Sequence, residues 1–224
     1  MTEELLYELN LTGALTDLFG GLMLLPMIAV IARRKTEKRE EKRLWLLFFA
    51  SLAASCLLGF IAHYFCTGMM FRLMWIPLYA VMFESVAAFF LLALYRFREK
   101  MPSRGIVIGL HVALLAAYLT IMILDVFFVK DMIRAFVIVA GVVGIAGFCI
   151  TVRSAVRREG RADRVMLSAL IPLLGALYWQ IRREGWVRII WAFNYNGLAH
   201  LYIILALCLL FVASLIALKR TERK

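Results

Sequence analysis

Residues 196–218 read NGLAHLYIILALCLLFVASLIAL, and none of them is charged. A helix needs about 20 mostly apolar residues to cross the hydrocarbon core of a bilayer, so this stretch predicts a transmembrane helix. Six earlier stretches are also mostly apolar and about as long, at roughly residues 11–32, 44–66, 72–95, 105–124, 132–152 and 165–181. The sequence therefore predicts an all-α integral membrane bundle of seven transmembrane helices, which forms a single transmembrane domain over residues 1–224.

The composition of the chain agrees with a membrane protein and excludes several other classes. Hydrophobic residues make up 64% of the 224 residues and charged residues 18%, against roughly 45–50% and ~25% in an average soluble domain. A soluble globule of this size would not bury so much apolar surface. We therefore exclude a disordered chain, a secreted disulfide scaffold and a typical cytosolic enzyme, and we expect membrane lipids as partners.

The Lys and Arg residues are distributed asymmetrically, and this asymmetry predicts the orientation of the bundle. Basic connections stay in the cytoplasm, and 20 of the 26 basic residues fall in alternate connections and the C-terminal tail. These segments are residues 33–43, 96–104, 153–164 and 219–224. We expect the N-terminus outside and the C-terminus in the cytoplasm, and the short chain favours a bacterial inner membrane. The net charge of +11 follows from this topology, so we expect no nucleic-acid partner.

Polar side chains within the predicted spans are the strongest functional signal, because burying them in lipid is costly. At about 1.5 Å of rise per residue, five of them fall in the outer half of the membrane and come from four different spans. They are Asp17, His63, Glu84, Asn196 and His200. We predict that they converge in one cavity beneath the outer leaflet. His111 lies near the inner end of the fourth span, so we do not expect it in this cluster.

Two histidines with one or two carboxylates match the ligand set of a catalytic zinc ion. We predict His63 and His200 as metal ligands and zinc as the cofactor. Asp17 and Glu84 are predicted as catalytic carboxylates, one completing the metal shell and the other acting as general base.

Three further polar residues are predicted to contact the substrate. Asn196 precedes His200 by four residues and therefore shares its helix face, and Asn194 flanks the start of the same span. Ser55 lies in one row with Gly59 and His63, at spacings of four residues. Within a bilayer, the accessible substrate would be a lipid-like amide or ester.

Two segments, GFIAHYF (59–65) and FNYNGLAHLYIILAL (193–207), carry a resemblance to a known group. Together with seven spans and an external N-terminus, they resemble the CREST superfamily of membrane hydrolases, which includes alkaline ceramidases and the adiponectin/progestin-receptor relatives. That superfamily typically carries S-x-x-x-H in the second span, an Asp in the third and H-x-x-x-H in the seventh, and binds one zinc ion. The segments ALTDLFGG (14–21) and FNYNGLAH (193–200) are also similar to an uncharacterised group of bacterial seven-span proteins.

Carried over by position, the resemblance implies that His63 and His200 bind zinc. Asn196 stands where the superfamily has the first His of the seventh span, and Gly59 stands where it has the Ser. Glu84 is the acidic residue of the third span, in place of the Asp. The resemblance therefore implies a lipid amide or ester hydrolase, or a degenerate relative of one.

Two other classes of function stay open from the sequence. A non-catalytic receptor or scaffold would use the same cavity to bind a ligand. A proton-coupled small-molecule transporter would use Glu84 and the histidines as a proton relay. A retinal protein is excluded, because residues 196–218 contain no Lys to which retinal could be attached.

Overall fold

The computed structural model describes residues 3–98, 103–124, 127, 134–158, 160–182, 186–188 and 192–219. Within these ranges the chain forms eight α-helices and one two-stranded hairpin. The helices are α1 (Glu3–Arg33), α2 (Arg39–Phe65), α3 (Gly68–Arg98), α4 (Arg104–Leu124), α5 (Arg134–Arg158), α6 (Arg161–Ser168), α7 (Leu170–Arg182) and α8 (Tyr195–Ala217). The strands are β1 (Trp186–Arg188) and β2 (Ala192–Asn194).

Six helical stretches in the described part are long and apolar enough to cross a membrane. They are Leu11–Arg33, Arg39–Phe65, Gly68–Arg98, Val107–Leu124, Arg161–Gln180 and Tyr195–Ala217. Large apolar side chains such as Phe19, Ile171 and Leu205 point outward on these stretches and are exposed, as expected where lipid replaces water as the solvent. The chain is therefore an all-helical membrane protein, apart from its short hairpin.

The six stretches agree with six of the seven predicted spans. The remaining prediction, 132–152, coincides with α5, which begins at Arg134. Residues 132 and 133 lie outside the described part of the structure, and so do the side chains of residues 134–141 in α5.

The main apolar core lies where α1, α2, α3 and α8 meet. Trp45 of α2 is fully buried there and stacks on Phe49, with 5.8 Å between the ring centroids. A second apolar cluster joins α3 to α4, where Phe83 stacks on Tyr118 with 5.0 Å between their centroids. The first core holds α1, α2 and α8 side by side and so positions the polar residues near their ends.

The predicted sixth span, 165–181, is divided between α6 and α7. The division falls at Ala169, three residues before Pro172. Proline has no N–H group to donate to the carbonyl of the residue four positions earlier, and its ring crowds that carbonyl. The carbonyl in question belongs to Ser168, which is the last residue of α6. The helical path continues beyond the interruption to Arg182.

The hairpin connects α7 to α8 and pairs Val187 with Phe193 in antiparallel register. Its last residue, Asn194, is the N-cap of α8, and the side-chain oxygen accepts a hydrogen bond of 2.8 Å from the Gly197 N–H. An uncapped helix start leaves backbone donors unpaired. The cap therefore fixes where α8 begins, and with it the position of His200 on the second turn.

A buried ion-pair cluster ties α2, α3 and α6 together at the end of the bundle that carries the α1–α2 connection. Arg96 pairs with Glu41 and also donates to Asp163 Oδ1 at 2.6 Å. Lys38 lies 3.7 Å from the second oxygen of Glu41. Because both carboxylates are almost fully buried, the two cations offset charge that would be costly to leave unpaired.

Candidate functional site

Three helices bring His63 and His200 to the carboxylate of Asp17. Asp17 Oδ1 lies 3.5 Å from His200 Nδ1, and Asp17 Oδ2 lies 4.0 Å from His63 Nε2. The three side chains are only 10–19% exposed. Asp17 lies early in the stretch Leu11–Arg33, His63 near the end of α2 and His200 near the start of α8. All three therefore lie at the same end of the bundle, opposite the Arg96 cluster.

Thr16 determines which nitrogen of His200 carries the proton. The Thr16 hydroxyl donates to the Gly13 carbonyl oxygen at 2.8 Å, which uses its single hydrogen. Its oxygen also lies 2.9 Å from His200 Nδ1, so we assign Nδ1 as the donor in that contact. A neutral imidazole with its proton on Nδ1 has a lone pair on Nε2. Asp17 Oδ1, on the same side of the ring, favours this tautomer further.

Gly59 allows the Asp17 carboxylate to lie against α2. A Cβ at position 59 would be 2.7 Å from Asp17 Oδ2, closer than real Cβ atoms approach oxygen. Only glycine therefore leaves room for the carboxylate where it sits. The sequence marks Gly59 as a member of the row with Ser55 and His63 and as the residue in place of a superfamily Ser, but not as the contact of Asp17.

Two aromatic rings of α3 lie beside His63. The centroids of Phe71 and Trp75 lie 5.8 and 5.5 Å from that of the imidazole. Trp75 Nε1 is buried and has no hydrogen-bond partner among the residues that the structure describes. A buried N–H is normally paired, so this group is an unpaired donor on a ring next to His63.

The predicted substrate-binding residues have other partners in the structure. Asn196 accepts a hydrogen bond of 2.8 Å from Gln180 Nε2 of α7, and its own amide nitrogen lies near Gly13. Asn196 therefore borders the site, whereas Asn194 caps α8. The Ser55 hydroxyl donates to the Leu52 carbonyl of its own helix at 2.8 Å.

Glu84 is paired with His111 on α4, in a separate polar contact. Glu84 Oε1 lies 3.1 Å from His111 Nε2, an ion-pair distance without the alignment of a hydrogen bond. Both side chains are partly exposed, at 26% and 18%. We predicted Glu84 in the Asp17 cluster and His111 outside that cluster, and the structure pairs Glu84 with His111. Depth along a helix does not determine the direction in which a side chain points around it, and Glu84 points toward α4.

Asp17, His63 and His200 are the possible ligands of the predicted zinc ion. Two imidazoles and a carboxylate are donors that zinc accepts. Across the described ranges, however, no group of three or more His, Cys, Asp or Glu side chains is placed to hold a metal ion, and His200 Nδ1 is engaged with Thr16. Zinc therefore stays a prediction. As placed, Asp17, His63 and His200 are suited to acid–base chemistry.

Sequence reasoning missed two residues that complete the site, Thr16 and Gln180. Thr16 directly precedes Asp17 in the chain, and a hydroxyl beside an intramembrane carboxylate is a signal that could have been used. Gln180 is a polar residue at the end of an apolar run. Its partner on α8 is 16 residues away and could not be identified from spacing.

The fold and the site define a helical membrane protein with a carboxylate–histidine centre between α1, α2 and α8. The chain belongs to a family of unknown function, DUF6962, whose model matches residues 12–219 and so includes the whole centre. No curated protein and no solved structure matches the chain.

Proposed function

We propose that this protein is a membrane hydrolase that cleaves a lipid-like ester or amide, with His200 as the general base. The observation that carries the proposal is the placement of His200 Nδ1 against both Thr16 Oγ1 and Asp17 Oδ1. A carboxylate that holds one nitrogen of an imidazole orients the ring and stabilises the cation formed when the other nitrogen takes a proton. His200 Nε2 is that other nitrogen.

The reaction balances with groups that the chain and water supply. His200 Nε2 takes a proton from a water molecule as its oxygen forms a bond to the substrate carbonyl carbon. The tetrahedral intermediate then breaks the bond to the leaving alcohol or amine, which receives the proton back from Nε2. Asp17 Oδ1 lies beside the imidazolium that forms during the reaction. His63, at the second oxygen of Asp17, is a positioning residue.

The substrate class is proposed from the surroundings of the site. The three side chains lie within apolar helices whose outer surfaces face lipid, so a substrate dissolved in the bilayer reaches them more readily than a soluble one. The Trp75 N–H has no partner in the described part of the chain, and its ring lies beside His63. It would suit a substrate carbonyl or amide oxygen.

The proposal includes the predicted topology of seven spans, with the N-terminus outside and the C-terminus in the cytoplasm of a bacterial inner membrane. The six apolar stretches and the position of α5 support it, as does the excess of Lys and Arg in alternate connections. This orientation puts Asp17, His63 and His200 beneath the outer leaflet.

The test is hydrolysis by the full chain reconstituted in phosphatidylcholine nanodiscs. Two fluorogenic substrates are used, a long-chain fatty ester and a long-chain N-acyl amide. Wild type should cleave at least one of them. His200→Gln should lower the rate by roughly 10²–10⁴-fold, the usual contribution of a general base, and Asp17→Asn should also lower it strongly. The matched control, His111→Gln, removes an intramembrane imidazole outside the centre and should keep the wild-type rate.

Two results would overturn the proposal. One is a wild-type rate no higher than that of empty nanodiscs on both substrates. The other is a His200→Gln rate equal to that of wild type. Chelation tests the zinc prediction in the same assay. The proposal expects turnover to persist in a strong chelator. If the chelator abolished turnover and added zinc restored it, the metal-free role of His200 would be wrong. A metal centre at His63 and His200 would take its place.

Proton-coupled transport is a second candidate, supported by one specific observation. Each of the three histidines lies within 4.0 Å of a carboxylate oxygen of Asp17 or Glu84. Carboxylate–histidine pairs within the membrane are typical of proton relays.

Vesicles that hold a pH-sensitive dye test the transport candidate. Transport predicts that the protein speeds the decay of an imposed pH gradient and that Glu84→Gln abolishes the effect. An unchanged decay rate in vesicles with wild type would exclude it.

A further inference from the structure

The connection between α1 and α2 forms an open pocket of about 590 Å³ at the end of the bundle opposite Asp17. Six of the nine residues that line it are basic. They are Arg33, Arg34, Lys35, Arg39, Lys42 and Arg43. Among the residues that the structure describes, no acidic side chain lines the pocket. The volume is within the range of roughly 300–1,000 Å³ that is typical of small-molecule sites.

The nearby acidic residues Glu40 and Glu41 offset only part of the positive charge of the pocket. Glu41 points into the bundle, where Arg96 and Lys38 pair with it. Glu40 pairs with Arg43 at 2.7 Å. Among the described residues, no ion pair involves Arg33, Arg34 or Arg39.

Lys42 holds the pocket in shape. Its ammonium group donates to the Ala32 and Arg34 carbonyls at the end of α1, at 2.6 and 3.0 Å. The last carbonyls of a helix lack intrahelical partners, and this cation from α2 satisfies two of them. The two helix ends are therefore joined, and the basic side chains around them stay close together despite their mutual repulsion.

Like charges gathered in one pocket favour an anion, because binding relieves their repulsion. Arg guanidinium groups suit phosphate oxygens in particular, since two parallel N–H groups match two oxygens. Ala32 and Leu46 line the same pocket and belong to the membrane-spanning stretches. The pocket thus lies at the boundary between the apolar and polar parts of the chain, which is the level of lipid headgroups.

We infer that the α1–α2 connection binds a phosphate-bearing anion, either the headgroup of an acidic phospholipid or a soluble phosphate compound. The site is independent of the proposed hydrolase activity. It uses none of the residues around Asp17 and lies at the other end of the bundle.

Thermal unfolding of the purified full chain in a neutral detergent tests the inference. The probes are phosphatidylglycerol, phosphatidylcholine and inorganic phosphate, at constant ionic strength. At about a tenfold excess over its Kd, a specific ligand should raise the melting temperature by roughly 3 °C or more. We expect this rise with phosphatidylglycerol and none with phosphatidylcholine. A rise with inorganic phosphate as well would identify the phosphate group alone as the ligand.

A matched pair of variants separates the pocket from general attraction between charges. The pocket variant carries Arg33→Gln, Arg34→Gln and Arg39→Gln, and should lose the rise. The control carries Arg98→Gln, Arg161→Gln and Arg164→Gln, which removes three exposed charges outside the pocket, and should keep it.

A single substitution, Lys35→Glu, provides an independent variant with less change to the helix ends. It should also lose the rise. The inference would be overturned if neither anionic probe shifted wild type, or if the pocket variant and the control lost the rise equally.

Discussion

Asp17 and Gly59 are in close contact, and this contact yields the sharpest prediction for a single residue. Gly59→Ala would put a methyl group 2.7 Å from Asp17 Oδ2 and force the carboxylate away from both histidines. Overpacking of this kind costs about 1–3 kcal/mol, more than the roughly 1 kcal/mol that alanine gains over glycine in a helix. We expect a lower melting temperature in detergent and a fall in hydrolysis.

Gly13→Ala is the matched control for Gly59→Ala. It also lies in a helix beside the site, but the nearest atom to an added Cβ is 3.8 Å away, in ordinary contact. This variant should be as stable as wild type or more stable. If both variants behaved alike, the close approach of Asp17 to Gly59 would be contradicted.

At the scale of residues, sequence reasoning identified the members of the centre better than their partners. Asp17, His63 and His200 were predicted from depth, and the structure places them around one carboxylate. Depth did not reveal that Glu84 faces α4, because the direction of a side chain depends on how the helix is rotated within the bundle. Asn194 shows a different limit. Its position before a helix is typical of an N-cap, and that structural role competes with the predicted contact to substrate.

Arg96 joins three helices, so its removal should weaken the packing of elements rather than the site. Arg96→Gln would leave Glu41 and Asp163 buried without their main partner. Loss of one member of a buried ion cluster costs about 3–5 kcal/mol, which corresponds to a fall of roughly 6–20 °C in melting temperature for a chain of this size. Thermal unfolding in detergent measures the fall.

Arg98→Gln is the control for Arg96, since Arg98 lies two residues further on and is exposed. It should change stability by no more than about 0.5 kcal/mol. If Arg96→Gln and Arg98→Gln had the same melting temperature, the cluster would not hold α2, α3 and α6 together.

At the scale of elements, the apolar stretches predicted which parts of the chain are helical but not where the helices end. α1 begins at Glu3, eight residues before the predicted span, and α3 continues to Arg98, three residues beyond it, because a helix that leaves the apolar layer keeps its backbone hydrogen bonds among charged residues. The division between α6 and α7 lies within a single hydrophobic run, and only Pro172 marks it. The hairpin from Trp186 to Asn194 was not predicted, since strands of three residues have no measurable periodicity.

The orientation of the whole molecule can be tested by cysteine labelling in intact cells. In a background with the four native cysteines replaced by Ala, Val187→Cys should react with a membrane-impermeant maleimide. Glu37→Cys should react only after the cells are permeabilised, because the α1–α2 connection is predicted in the cytoplasm. The reverse pattern would contradict the proposed topology, and reaction at both positions in intact cells would contradict it as well.

The proposed centre requires Asp17 near the start of the chain to contact His200 in α8. A double-mutant cycle on the free energy of unfolding tests this most directly, and it does not depend on knowing the substrate. Asp17→Asn, His200→Gln and the double variant should show an interaction energy of about 0.5–3 kcal/mol, as residues in contact do. The parallel cycle of Asp17→Asn with His111→Gln should be additive to within about 0.5 kcal/mol. Additivity in the first cycle, equal to that of the second, would contradict the shared centre.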